Sequence, residues 1–457
     1  MKRKLIIITS VIMALAILFS LPLAGCKTTT TTTAAAETTA AAETTTTAAQ
    51  TTASETTAPQ KLSGTIVIWK GPHADKERET KFNEVIDAFE KDNPGVKIDF
   101  VNTPWDSIVE KYTTAFASGN PPDIFYSFTG GYVDGVIDKC LDFKEVFTPE
   151  ELAFITKGIP ENLLAEFTVG GKLIGVPWTT IGNTLVYNEK MLADAGFTSP
   201  PKTWDEQLEM CKKLTKDTNG DGKPDVYGYG QLSYDTAEAK PEYFLYEAGV
   251  TLFNDDMTGI GYDKDQAKAA FEYIDKLWNK EKVAVPIGLY PGTTMMDAFF
   301  DGKFAMWQCH SQINVAWKKH PDFKMAAAPM PAGPGTNLNE GRGTYCGSGA
   351  WSIAKDTKNL EAVKKFLMYF YDPKYLTTVL NNFGFTPSRT DLNMEFDPFI
   401  KAMADSYLKY GITYKFGPQV NEVKEAVWDA IRSLQSGAIS PEDAYKQAVE
   451  NGKAAFK

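Results

Sequence analysis

Three short apolar runs, separated by two segments with helical spacing, constrain the fold more than any other feature of this chain. Thr65-Ile66-Val67-Ile68-Trp69 reads as a buried strand. Phe82, Val85, Ile86 and Phe89 then recur on one helical face, and Asn93-Pro94-Gly95 stops that helix. Val96, Ile98 and Phe100 alternate as a second strand. Ile108, Tyr112 and Phe116 mark a second helix, closed by Ser118-Gly119-Asn120-Pro121-Pro122, and Ile124-Phe125-Tyr126 is a third strand. The β-α-β-α-β order predicts an α/β fold with a parallel sheet and right-handed crossovers. Ligands in such sheets sit beyond the carboxyl ends of the strands, here residues 69–73, 102–105 and 127–132.

The later chain alternates in the same way. Trp204, Leu208, Cys211 and Leu214 share a helix face, as do Phe271, Ile274, Leu277 and Trp278. Residues 304–307 and 323–327 read as strands. Val363, Phe366, Leu367 and Phe370 mark a helix, and Val420, Val423, Val427, Ile431 and Leu434 mark another. A last helix opens at Ser440-Pro441-Glu442-Asp443, with a capping residue, proline at the first position and an acidic residue to complete the cap. Residues 62–457 are long for one core and suggest two lobes.

Upstream, Lys2-Arg3-Lys4 precedes a mostly apolar run over 5–23, then Ala24-Gly25-Cys26. This is an export leader rather than a fold element. Leu23-Ala24-Gly25-Cys26 resembles a bacterial lipobox, which implies cleavage before Cys26 and lipid on its thiol. An ordinary signal peptide or a membrane helix is the alternative. Residues 1–25 are thus read as a signal peptide. Residues 26–61 are read as the lipidated cysteine plus a disordered tether of Thr, Ala and Glu, without an aromatic or large aliphatic side chain between 27 and 60. The threonines are candidates for O-glycosylation by composition alone.

Charge narrows the partners. The whole chain carries a net −11, and loss of the three basic leader residues takes it to −14. No basic footprint for nucleic acid exists, and any membrane link rests on the anchor. Cys140, Cys211, Cys309 and Cys346 show neither CxxC nor zinc spacing and read as buried free thiols. His73, His310 and His320 are too few for a histidine-rich metal site.

Several segments together carry a family resemblance. They are residues 89–98, 117–124, 175–178 leading to 185–188, 200–206, 302–306 and 383–389. Their order and spacing resemble the family 1 extracellular solute-binding proteins of ABC importers, the group that includes maltose-binding protein. The resemblance implies a two-lobed periplasmic-binding-protein-like fold of type II. It has three hinge crossings, near 179–182, 344–349 and 385–390, and a ligand cleft between the lobes. Lobe 1 would be 62–180 and 348–386; lobe 2 would be 183–343 and 391–457. It further implies an ABC permease partner, a carbohydrate solute, a monomer and no required cofactor. Gly343, Gly347 and Gly349 suit a crossing that absorbs backbone rotation.

Sugar rings pair apolar C–H faces with a hydroxyl rim, so their sites need aromatic platforms and planar hydrogen-bonding groups. Trp69, His73, Trp178, Thr179 and Tyr345 lie at strand ends or crossings. Phe128, Thr129 and Tyr132 follow a parallel strand, and Asn183, Gln231, Tyr234 and Asp235 are lobe 2 hydrogen-bonders. A core position is the alternative for each aromatic. After Gly302-Lys303-Phe304-Ala305-Met306 the family often places Gly, a small residue and a sugar-stacking Trp. Here His310, Ser311 and Gln312 stand instead, so no platform is expected there, although His310 and Gln312 can still hydrogen-bond.

Asp217, Asn219, Asp221, Lys223 and Asp225, with Gly222 at position 6, match the first part of a calcium loop. The Glu expected at position 12 is replaced by Gly228. A structural calcium ion and a simple polar turn both fit. The leading function is a carbohydrate-binding lipoprotein, not an enzyme. A surface adhesin or sensor partner, and a glycoside hydrolase with paired carboxylates, are the alternatives.

Overall fold

The computed structural model describes residues 62–457, apart from 74, 130–132, 233–240, 293, 312, 335–342, 382–385, 414–415 and 418. The leader, Cys26 and the Thr-rich segment lie outside the described residues, as do Tyr132, Tyr234, Asp235 and Gln312. Among the described residues no helix is long and apolar enough to cross a membrane.

The apolar runs become strands β1 (Gly64–Lys70), β2 (Val96–Asn102) and β3 (Ile124–Phe128). β1 lies between the other two and parallel to both, with Ile68 in register with Phe100 and Ile124. The helix Lys76–Asp92 links β1 to β2. Its cap Asp75 accepts from the Arg78 amide, and Phe82, Val85, Ile86 and Phe89 are buried beneath it. Such burial contributes roughly 1.5–3 kcal/mol per large side chain.

A hairpin of β4 (Thr168–Val169) and β5 (Lys172–Leu173) precedes the long strand β6 (Val176–Asn188). Then come β7 (Tyr227–Gly230), β8 (Phe304–His310), β9 (Met325–Ala328), β10 (Thr344–Ile353), β11 (Thr386–Pro387) and β12 (Gly411–Ile412). The strand expected at 323–327 therefore starts two residues later. The main path runs β2-β1-β3-β10-β6-β8-β7.

β6 changes partners midway. Val176 to Gly182 pair antiparallel with β10, and from Asn183 onward the strand pairs with β8 and β9. One core, around Phe82, Phe125, Trp178, Trp351 and Phe370, draws on residues 66–178 and 350–380 plus Phe416. Two further clusters, around Phe244, Phe271 and Val427 and around Phe299, Phe304 and Trp307, draw on 185–346 and 399–449. β6 and β10 thus run from one hydrophobic region into the other, and β11 returns to pair with Thr179 and Thr180.

The β10 glycines also give clearance to neighbouring side chains. A Cβ on Gly347 would lie 2.4 Å from Tyr345 Oη, and one on Gly349 would lie 2.1 Å from Tyr126 Oη. Neither glycine adopts a positive φ. Gly347 clears space for Tyr345 of the same strand, and Gly349 for Tyr126 of the neighbouring β3. Cys140, Cys211, Cys309 and Cys346 are buried free thiols, and burial pushes Cys140 up to about 12.

Candidate functional site

Side chains from the two hydrophobic regions meet where β6 and β10 pass between them. Phe128, at the carboxyl end of β3, packs against both regions. Its ring lies 6.3 Å from Tyr126 and 6.3 Å from Tyr345. Tyr345 Oη donates to the Thr129 carbonyl at 2.6 Å, and Thr129 Oγ1 accepts from the Ser348 amide at 2.9 Å. The loop after β3 is thereby tied to β10.

One wall of this seam is aromatic and cationic. Trp105 is half-buried over Gly71, where a Cβ would sit 2.2 Å from the indole. Its ring meets Tyr126 edge-on at 5.7 Å. Lys70, almost wholly buried at the end of β1, places Nζ 5.5 Å from the Trp105 ring and 5.8 Å from Tyr126, and donates to the Gly71 carbonyl. Burial, reinforced by the nearby Arg78 guanidinium, pulls its pKa down to about 7.

A second aromatic group, packed against the second core, comes from the helix Val420–Gln435. Trp428 is half-buried, and its indole N–H donates to the fully buried carboxylate of Glu242 at 2.6 Å. Lys424 Nζ lies 5.7 Å from the same ring. Across the seam, Asp134 accepts from the Gly417 amide at 3.2 Å. Burial raises Asp134 to about 6, while that hydrogen bond and Lys424 pull the other way. Next to the loop that supplies Gly417, Phe416 inserts into the first core, 5.5 Å from Phe167.

Beneath the passage of β10 lies Glu166, at the end of the helix Glu161–Glu166. Burial pushes this carboxyl up to about 8, with hydrogen bonding from Ser348 opposing the rise. Its Oε2 meets no partner among the described residues.

The structure separates the sequence candidates. Phe128 stands at the seam, half-buried. Trp69 is half-buried too, but it turns toward the helix Ile108–Ala117 and stacks 6.3 Å from Tyr112. His73 lies over Phe82 and Phe100, at 5.1 and 5.7 Å. Burial, then the Lys70 and Arg78 charges, drive it down to about 3, so it is neutral at neutral pH. Trp178 is a core residue rather than a platform: it is fully buried and stacks on Trp351 at 5.9 Å. Thr129, Thr179 and Tyr345 are buried and spend their side chains joining the passages, with Thr179 Oγ1 donating to the Thr386 carbonyl. Asn183 and His310 pair in register across β6 and β8, and both are nearly inaccessible. Gln231 is buried and accepts from Gln435 Nε2 at 2.8 Å. Period-2 alternation explains the split, because a residue at the right strand end still points to only one face.

Lys70, Tyr126, Glu242, Lys424 and Trp428 are additions that the sequence reading did not single out. Trp428 carried a signal: it stands one position off the stripe Val420, Val423, Val427, Ile431, Leu434, where a helix shows its polar side. Lys70 carried another, as a lysine ending an apolar strand.

At the calcium candidate the side-chain oxygens accept from backbone amides of the loop. Asp217 accepts from the Gly220 and Gly222 amides, Asn219 from Asp221, and Asp221 from Lys223, while Asp225 accepts from Thr218. The side-chain oxygens close a polar turn. Among the described residues no three His, Cys, Asp or Glu side chains are grouped to hold a metal ion.

Residues 74–377 match the family described as bacterial extracellular solute-binding protein. The chain is similar to the diacetylchitobiose binding protein DasA of Streptomyces coelicolor, 26% identical over 322 residues, 65% of this chain and 67% of that one. It is also similar to the maltodextrin-binding protein MdxE of Bacillus subtilis, 24% identical over 386 residues, 79% of this chain and 84% of that one. A solved ABC transporter solute-binding protein of Thermotoga lettingae, bound with α-D-tagatose, has a TM-score of 0.72 at 24% identity and covers 86% of this chain and 100% of that one. These likenesses establish the fold as a two-lobed α/β protein of the type II periplasmic-binding kind, with its cleft between the lobes. With the match covering residues 74–377 and the chain passing repeatedly between two hydrophobic regions, this protein belongs to the bacterial extracellular solute-binding protein family.

Proposed function

We propose that the protein is an exported, lipid-anchored monomer that captures a carbohydrate between its lobes and passes it to the permease of an ABC importer. The observation that carries the carbohydrate reading is the set of half-buried aromatics on both sides of the seam. Trp105 and Phe128 stand on one side and Trp428 on the other, with anchored polar groups beside them. Such faces suit sugar C–H surfaces, and the polar groups suit hydroxyls. The names of the two relatives, which bind diacetylchitobiose and maltodextrin, support the same class.

Nothing covalent happens to the solute. Affinity comes from buried apolar area and matched hydrogen bonds, less the cost of closing the lobes. Lobe 1 is assigned to 62–180 and 348–386 and lobe 2 to 183–343 and 391–457, a division that the distribution of the cores supports. Cys26 holds the protein at the outer face of the cell membrane, and the Thr-rich tether keeps the capture domain near its permease.

A thermal-shift screen against mono- and oligosaccharides tests the solute class. A true solute at about 100 times its Kd stabilises the fold by about 2.7 kcal/mol. Silence across all carbohydrates removes the reading. A Cys26→Ala variant is expected in the medium, still binding solute. Deletion of the gene is expected to abolish uptake of that solute.

A further inference from the structure

We propose that the solute is an oligosaccharide, and that the units beyond those held at Trp428 lie in a groove on the flank of lobe 2. This inference rests on the carbohydrate reading above and names the kind of carbohydrate by its length.

The groove has a volume of about 850 Å³, within the range of sites that hold a small ligand. Its apolar lining is the Trp278 ring with Ala284, Pro286 and Ile287. The Trp278 indole N–H donates to the Val285 carbonyl at 3.0 Å, which fixes the ring in place. The segment that carries Ala284 and Pro286 runs along the β7 end of the sheet, with Ala284 bridged parallel to Tyr229.

One helix joins this groove to the aromatic group described above. The helix Val420–Gln435 starts just after Gly417, whose amide donates to Asp134 of lobe 1. Residues four apart share a helical face, so Lys424, Trp428 and Arg432 form one line along it. Arg432 stands about 6 Å beyond Trp428 along the axis. Lys424 Nζ lies 5.7 Å from the Trp428 ring. Arg432 lines the groove, with its Nη2 paired to Asp429 at 2.8 Å. Gln435, at the end of the same helix, also lines the groove and donates to Gln231, the residue after β7, at 2.8 Å. A sugar chain stacked on Trp428 and growing away from lobe 1 enters the groove.

The polar lining suits such a guest. Ser433 and Ser436 can both donate and accept, and Lys223, Lys282 and Arg432 donate. Apolar surface beside a set of donors and acceptors matches the C–H faces and hydroxyl edges of successive sugar rings. Lys282 also holds φ at +54°, in the left-handed region that a lysine rarely adopts, and the turn before it, Lys276–Lys280, is a π-helix. Backbone of both kinds concentrates at functional sites.

Titration calorimetry on the full chain tests the inference. The probes are the malto-, manno-, xylo- and chito-oligosaccharide series, each from the monomer to the hexamer. Within a series that binds, affinity is expected to rise at least about tenfold from the dimer to the longer members. Ser436→Trp fills the groove from an exposed position. It is expected to remove that gain and to leave binding of the dimer unchanged. Lys282→Gly relieves the backbone strain while deleting a donor, so it is expected to fold at least as well and to lose affinity for the longer members alone. Loss of the gain in either variant supports the inference. Binding of a monomer or dimer as tightly as any longer member, or a gain that both variants leave intact, overturns it and leaves the carbohydrate reading standing. No binding by any member of any series overturns both.

Discussion

The indole N–H of Trp428 donates to the carboxylate of Glu242 at 2.6 Å, so a half-buried ring on one helix is fixed by a fully buried anchor 186 residues earlier in the chain. A platform held this way keeps one face available without relying on loop order, and pre-organisation of that kind lowers the cost of binding. Trp428→Ala is expected to weaken carbohydrate binding by roughly 2 kcal/mol, with little change in Tm. Glu242→Gln, which keeps an acceptor, is expected to lose less than Glu242→Leu. Calorimetric titration of the three variants checks the order, and an unchanged Kd in Trp428→Ala places the platform elsewhere.

Trp178 has the opposite role. It packs between Trp351 and Phe370 with no exposed surface. Trp178→Ala is expected to cost about 3–5 kcal/mol of stability. Denaturant melts measure this loss, and the folded fraction should retain its solute affinity. A variant that keeps its stability but loses affinity would return Trp178 to the cleft.

Glu166 gives a pH signature. Its folded pKa, about 8, lies above the ordinary carboxylate value, so the native state holds a proton that the unfolded chain has released. The stabilisation this provides is complete below the unfolded pKa of 4.5 and is lost as pH rises through about 8. Glu166→Gln removes the titration. Relative to wild type, the variant should gain stability steadily from pH 5 to pH 8. Parallel Tm-versus-pH curves for the two proteins would contradict the assignment.

In the loop from Asp217 to Asp225 the side-chain oxygens accept from the loop's own amides, and we propose that it closes without an ion. Excess chelator is therefore expected to leave Tm unchanged. Asp217→Ala, which strands the Gly220 and Gly222 amides, is expected to cost about 1 kcal/mol in calcium-free buffer. A drop in Tm on chelation would restore the calcium site.

Much of the fold was legible because periodicity is a local signal. The spacing of Ile66, Ile68, Val96, Ile98 and Ile124 against Phe82 and Phe89 gives the parallel β1–β3 unit, and Ser440 caps its helix by accepting from the Asp443 amide. The seam was harder to read because it depends on which way each side chain turns. Trp69 and Lys70 are adjacent, yet Trp69 packs on Tyr112 while Lys70 lies beside Trp105 and Tyr126. Gly347 and Gly349 lie where β10 passes between the cores, but the clearance that Gly349 gives Tyr126 is a long-range contact that no local pattern shows. Glu242 is coupled to Trp428 across 186 residues, and no local pattern announces such a pair.

The central claim is capture of a carbohydrate without chemistry. Titration of the purified full chain with the best carbohydrate from a thermal screen, followed by analysis of the recovered sugar, tests it most directly. The account predicts saturable binding of one molecule per chain and recovery of the sugar intact. Absence of heat with every carbohydrate, or recovery of a cleaved product, would contradict it.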